Sequence, residues 1–128
     1  MDNTFRDDEK LFRAVLPANM FWKEDGSVTS AAFKTSEEDG LSTDRDGGRS
    51  CEECVDTLTQ SKKGSIVSVD YAHCKEANAL VVYNPITGEN ENPFHTLIRQ
   101  SAEKSTLSKK QARYLAEVCT VHLRRNDA

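Results

Sequence analysis

Between Ser65 and Ile98 three strand-forming segments follow one another with no room for a crossover helix, and this limits the possible folds more than any other feature. Ser65 to Tyr71 alternates, placing Val67, Val69 and Tyr71 on one side and Ser68 and Asp70 on the other. Ala79 to Tyr83 is a continuous apolar run, the pattern of a strand covered on both faces. After the turn at Asn84-Pro85-Ile86-Thr87-Gly88, Phe94, Thr96 and Ile98 alternate with His95 and Leu97. Parallel neighbours need a crossover of a dozen or more residues, so these strands are expected to be antiparallel.

Two helices flank this region. Ser50 and Glu53 fit a capping box, in which each side chain satisfies an orphan backbone N–H. Cys51, Cys54, Val55 and Leu58 then fall on one apolar face, and Lys62-Lys63-Gly64 closes the helix. Ser108 and Gln111 form a second capping box. Beyond it Leu115, Val118, Cys119 and His122 repeat at helical spacing, so a helix is expected from about Lys109 to about Leu123, packed on the sheet. The fold class is therefore α+β: a small antiparallel sheet packed by a C-terminal helix, with a second, shorter helix in the middle of the chain. Toward the N-terminus, residues 1–9 read as a flexible acidic leader to a single domain spanning 10–128. Leu11 to Leu16 reads as a strand or one turn of helix stopped by Pro17, and Val28 to Phe33 as a short extended piece. Asp44 and Arg45 lie in a turn-rich segment, His73-Cys74 falls in a surface turn, and the polar spacer Ser36-Glu37-Glu38-Asp39-Gly40 is expected to be mobile.

The 128 residues suffice for one hydrophobic core without help from metals or disulfides. No apolar run approaches the roughly 20 residues needed to span a bilayer. The acidic N-terminus has no apolar stretch of the kind that directs export, so the cytoplasm is the expected compartment. There the four cysteines are expected as free thiols or metal ligands. The net charge of −4 conceals an asymmetry: residues 1–60 carry 14 acids against 7 bases, and residues 61–128 carry 7 against 10. A nucleic-acid binder would be more basic overall, and the basic residues of the last helix lack interleaved exposed aromatics. Nucleic acid and membrane are thus set aside as partners, and no cofactor motif is present: no Gly-Lys-Ser/Thr follows Gly47-Gly48 to make a phosphate-binding loop.

Several groups of residues could carry chemistry. Cys51, Cys54, Cys119 and His122 spell a legal zinc ligand set, although their spacing also puts each pair on the buried face of a helix, where cysteine packs as a small apolar residue. Core packing is the preferred reading, with zinc the weak alternative. His95 follows Asn92-Pro93-Phe94 at the start of a strand, and is the candidate catalytic residue because histidine serves as acid or base near neutrality. Arg13 lies in an apolar run, where an unpaired charge is costly, so it must find a partner. Asp44 could be that partner in a structural ion pair; alternatively Arg13 and Arg45 hold a phosphate or carboxylate by bidentate hydrogen bonds.

In their order along the chain, Leu11-Phe12-Arg13-Ala14-Val15, Ser30-Ala31-Ala32-Phe33, Leu41-Ser42-Thr43-Asp44-Arg45 and Asn92-Pro93-Phe94-His95 resemble the motifs of a set of uncharacterised bacterial proteins with no known activity. The resemblance covers roughly residues 11–98 and leaves the four cysteines outside the shared pattern. Arg13 and Ser30 are also similar in type to the arginine and serine with which ADP-ribosyltransferase-like toxins bind a dinucleotide. The interval between them is short for that pattern, and no late catalytic glutamate is identifiable.

The expectation is a small bacterial accessory or interaction protein that binds an anionic ligand or a partner segment through Arg13, Ser30, Asp44, Arg45 and His95. An ADP-ribosyltransferase-like or other NAD- or nucleotide-using enzyme is the alternative, and a structural zinc domain the second. A flat apolar patch at Phe21, Trp22 and Phe33 would favour a protein partner, and a concave site at His95 would favour a ligand.

Overall fold

The structure, a computed structural model, describes residues 1–34 and 39–125. Ser36, Glu37 and Glu38 of the polar spacer lie outside the described residues. Six strands form one antiparallel sheet: β1 (Lys10–Val15), β2 (Leu41–Arg45), β3 (Ser65–Asp70), β4 (Leu80–Tyr83), β5 (His95–Arg99) and β6 (Thr120–Leu123), in the order β4-β5-β2-β1-β3-β6. Three helices accompany it: α1 (Cys51–Ser61), α2 (Tyr71–Glu76) and α3 (Lys109–Val118). The expected α+β class is what the chain adopts.

Alternation along the strands divides the sheet into two unequal faces. On the first face Leu11, Val15, Leu41, Val67, Val69 and Ile98 form the main core with Ala112 and Leu115 of α3 and Cys74 of α2. On the second face Phe12 and Ile66 pack beneath Cys54 and Leu58 of α1. That helix lies over β1 and β3. The part of the same face on β2 and β5, carrying Ser42, Asp44, His95 and Leu97, is beside the helix rather than under it.

Both expected capping boxes are present: the Ser50 hydroxyl accepts from Glu53 N at 3.1 Å, and the Ser108 hydroxyl from Gln111 N at 3.2 Å. The C-terminal helix is shorter than expected. It stops at Val118, Cys119 turns extended, and Thr120–Leu123 leaves as β6. The reason lies in β3, whose residues Ser65 to Val69 are all buried and need a hydrogen-bonding neighbour on their outer side. Thr120 and Val121 are β-branched and suit that duty.

Four other expectations change. Val28 is bridged to Trp22, and Ser30–Phe33 is a 3₁₀ turn rather than an extended piece. Asp44 and Arg45, expected in a turn-rich segment, end the interior strand Leu41–Arg45. His73 and Cys74 lie in α2. Ala79 to Tyr83 gives an edge strand with Leu80 exposed, so its unbroken hydrophobicity does not reflect cover on both faces.

The acidic leader is packed into the domain. Glu9 is buried and Phe5 stacks on Tyr71, with 5.0 Å between ring centroids. The main-chain carbonyls of Asp2 and Thr4 both accept hydrogen bonds from Arg45.

A candidate ligand cleft over Ser42 and His95

A cleft of about 410 Å³ opens on the second face, between the C-terminal half of α1 and the arm that joins β4 to β5. Phe12, Ala14, Ser42, Asp44 and His95 form its floor; Leu58 and Lys62 stand on the helix side, Ile86 and Asn92 on the arm. The arm closes on itself by two backbone hydrogen bonds between Ile86 and Asn92, 2.9 and 2.8 Å long. Antiparallel pairing of β2 with β5 puts Asp44 opposite His95 and Ser42 opposite Leu97, so all four side chains share the face.

His95 is held from both ring nitrogens. Nδ1 lies 2.9 Å from the carbonyl oxygen of Asn84, and Nε2 lies 3.1 Å from Ser42 Oγ. A carbonyl only accepts, and its 2.9 Å contact is much shorter than the 3.5 Å one from Asn84 Nδ2 to the same nitrogen, so the geometry favours a proton on Nδ1 and the Nε2 lone pair toward the Ser42 hydroxyl. Asp44 Oδ1 accepts from Asn92 Nδ2 at 2.8 Å, and Asn92 Oδ1 accepts from Phe94 N at 3.1 Å. The arm and the floor are thereby joined through side chains that the chain order alone separates widely.

Of the other expected site residues Arg13 borders the cleft, while Ser30 and Arg45 do not reach it. Phe12 is the partner of Asp44, which puts the Asp44 side chain on the Phe12 face and the Arg13 side chain on the opposite one. The expected Arg13–Asp44 ion pair therefore does not form. Arg13 donates instead to the carbonyls of Ala32, at 3.2 Å, and Ser42, at 3.0 Å, tying the 3₁₀ turn to β2. Ser30 lines a separate depression with Lys23, Thr29 and Arg113. Arg45 is buried against Glu9, donating at 2.7 and 3.0 Å, with its guanidinium between the rings of Phe5 and Tyr83. Burial would raise the Glu9 carboxyl, but hydrogen bonds from Arg45 and Gly47 N–H outweigh it and hold the group below its ordinary range. The Gly47 and Gly48 amides that could have cradled an anion are spent on Glu9 and Asp46.

The cysteine and histidine set is split by the sheet. Cys54 packs under α1 on the second face, Cys119 belongs to the main core on the first, and Cys51 is exposed. His122, expected one helical turn after Cys119, sits on β6 with Nε2 2.7 Å from Ser68 Oγ. No group of three or more metal-ligating side chains occurs among the described residues. Burial pushes the thiols up, to about 11 for Cys54 and Cys119 and about 12 for Cys74. The apolar patch also dissolves: Trp22 and Phe33 are core residues, and Trp22 Nε1 donates to the carbonyl of Leu16 at 2.8 Å.

Ser42 and Lys62 are the cleft residues that sequence reasoning passed over. The signal for Ser42 was the alternation Leu41, Thr43, Arg45 against Ser42, Asp44, visible once residues 41–45 are taken as a strand. Lys62 carried no signal, because its place depends on where α1 crosses the sheet. No helix among the described residues is long and apolar enough to cross a membrane. No family model, curated protein or solved structure matches the chain.

Proposed function

We propose that the protein is a binding domain for a small anionic ligand, or for the acidic end of a partner segment, taken up in the cleft over Ser42 and His95. The observation that carries this reading is the position of polar side chains on the strip of the second face, on β2 and β5, that lies beside α1. Small-ligand sites are concave, with apolar walls and a few convergent polar groups; here Phe12, Ala14, Leu58 and Ile86 supply the former and Ser42, Asp44, Asn92, His95 and Lys62 the latter.

Charge is arranged for an anion at one end. Gly64 packs on the carbonyl of Val15, which sets the C-terminal end of α1, and with it Lys62, near the Val15 end of β1. The pairing of Phe12 with Asp44 puts Ser42 one row nearer that end than Asp44. An acidic group beside Lys62 would thus meet the Ser42 hydroxyl first, while Asp44 stays with Asn92. Lys63 and Arg125 flank Lys62 in the adjoining depression and add to the positive rim. A cytoplasmic location fits the four free thiols. The dinucleotide-using alternative draws no comparable support, since Ser30 lines a different depression from Arg13 and His95.

The test is thermal stabilisation by inorganic phosphate, acetate, adenosine monophosphate and NAD. At least one is expected to raise the melting temperature of the native protein and not of Lys62→Ala. That variant should differ in stability by no more than about 0.5 kcal/mol, as usual for a surface substitution. Equal stabilisation of both proteins, or of neither, would remove the reading.

A further inference from the structure

We infer that Ser42 is a nucleophile with His95 as its general base, and that the cleft accepts small acyl donors such as carboxylic esters. The inference deepens the ligand-cleft reading and rests on it to this extent: the cleft must admit a ligand.

A serine is activated when a base lies within hydrogen-bond reach and a third group orients that base. Here the separation of Ser42 Oγ from His95 Nε2 is 3.1 Å, and the orienting group is the Asn84 carbonyl at 2.9 Å from Nδ1. That carbonyl does what a carboxylate does in a catalytic triad: it fixes the tautomer and the ring plane. Ser42 lines the cleft floor, and Lys62 stands on the helix side with positive charge for a developing oxyanion.

A second pair in the same chain gives the contrast. Ser68 Oγ and His122 Nε2 are closer, at 2.7 Å, but Ser68 is buried and the His122 ring lies against Phe12, at 5.1 Å between centroids. The same two residue types are therefore present once in a cleft and once in packing.

The chemistry balances without a further reagent. As Ser42 Oγ bonds to the ester carbonyl carbon, its proton passes to His95 Nε2. Collapse of the tetrahedral adduct breaks the bond to the alcohol oxygen, which leaves with that proton. Water then attacks the acyl-serine carbon and gives a proton to Nε2. The Ser42 oxygen departs and takes that proton back, so the sum is ester and water to acid and alcohol.

The experiment is labelling with a small alkyl fluorophosphonate, followed by intact-mass and peptide mass spectrometry, with circular dichroism to check each variant's fold. One adduct is expected, on Ser42, absent in Ser42→Ala. In folded His95→Ala labelling should slow by about 100-fold or more and recover in part with added imidazole, as removal and chemical replacement of a general base require. Equal labelling of Ser42→Ala, an adduct on Ser68 or another residue, or no adduct would overturn the inference. If phosphate or acetate stabilises the protein through Lys62 but no adduct forms, only the nucleophile falls. If neither is seen, both readings fall together.

Discussion

Arg45 shows how a residue can look like a ligand-binding group and be structural. It sits in Leu41-Ser42-Thr43-Asp44-Arg45 beside two glycines, a setting that suggests an anion. Its partner is Glu9, 36 positions earlier, and both side chains are buried. Removing one member of such a pair leaves an uncompensated buried charge, so Arg45→Ala is expected to cost about 3–5 kcal/mol, measurable by urea denaturation. The pair also sets an acid limb. Glu9 and Asp46 are both held below their ordinary values in the folded chain. As pH falls the unfolded chain binds protons first, so their stabilising contribution is present above about pH 4 and is lost below it. Glu9→Gln should flatten melting temperature against pH between about 2 and 5; an unchanged acid limb would contradict the assignment. The thiols make a third check. Cys51 is exposed while the other three are raised by burial. Iodoacetamide at neutral pH should therefore add once quickly, at Cys51, and further only on unfolding.

At the scale of elements, what was legible locally was what local chemistry decides. The two capping boxes, the alternation of Ser65 to Tyr71 and the Phe94 to Ile98 pattern all rest on residues a few positions apart, and each gave the expected element, except that Tyr71 begins α2 instead of ending β3. β2 and β6 did not announce themselves, because their strand state comes from neighbours. Ser42 and Asp44 have weak strand preference, yet β2 is closed between β1 and β5; Thr120 to Leu123 continues a helical spacing, yet β3 needs an outer partner. The candidate site inherits this division: His95 could be picked out from its own strand, whereas Ser42 could not until β2 was known. Two substitutions test the elements. Ser108→Ala removes the α3 cap and should cost about 1 kcal/mol. Gly64 has φ of +98° and a Cβ there would lie 2.5 Å from the Val15 carbonyl oxygen. Gly64→Ala should therefore cost more than about 1 kcal/mol and disturb the approach of α1 to the cleft.

For the whole molecule, the consequential fact is an unequal covering of the sheet. The first face is sealed by α2, α3 and the 3₁₀ turn. Among the described residues the second has only α1, which is too narrow to cover all six strands. A helix about 10 Å across lies over roughly two strands spaced 4.8 Å apart, so on β2 and β5 the side chains of Ser42, Asp44 and His95 face a gap. The arm from Asn84 to Pro93 folds toward that gap and makes it a cleft. The most direct test of this account is backbone amide chemical-shift mapping of the native protein during titration with inorganic phosphate and acetate. Shifts confined to Ser42, Lys62, Asn92, His95 and their immediate neighbours are the predicted result. Shifts centred instead on Lys23, Ser30 and Arg113, or none, would contradict the cleft as the ligand site.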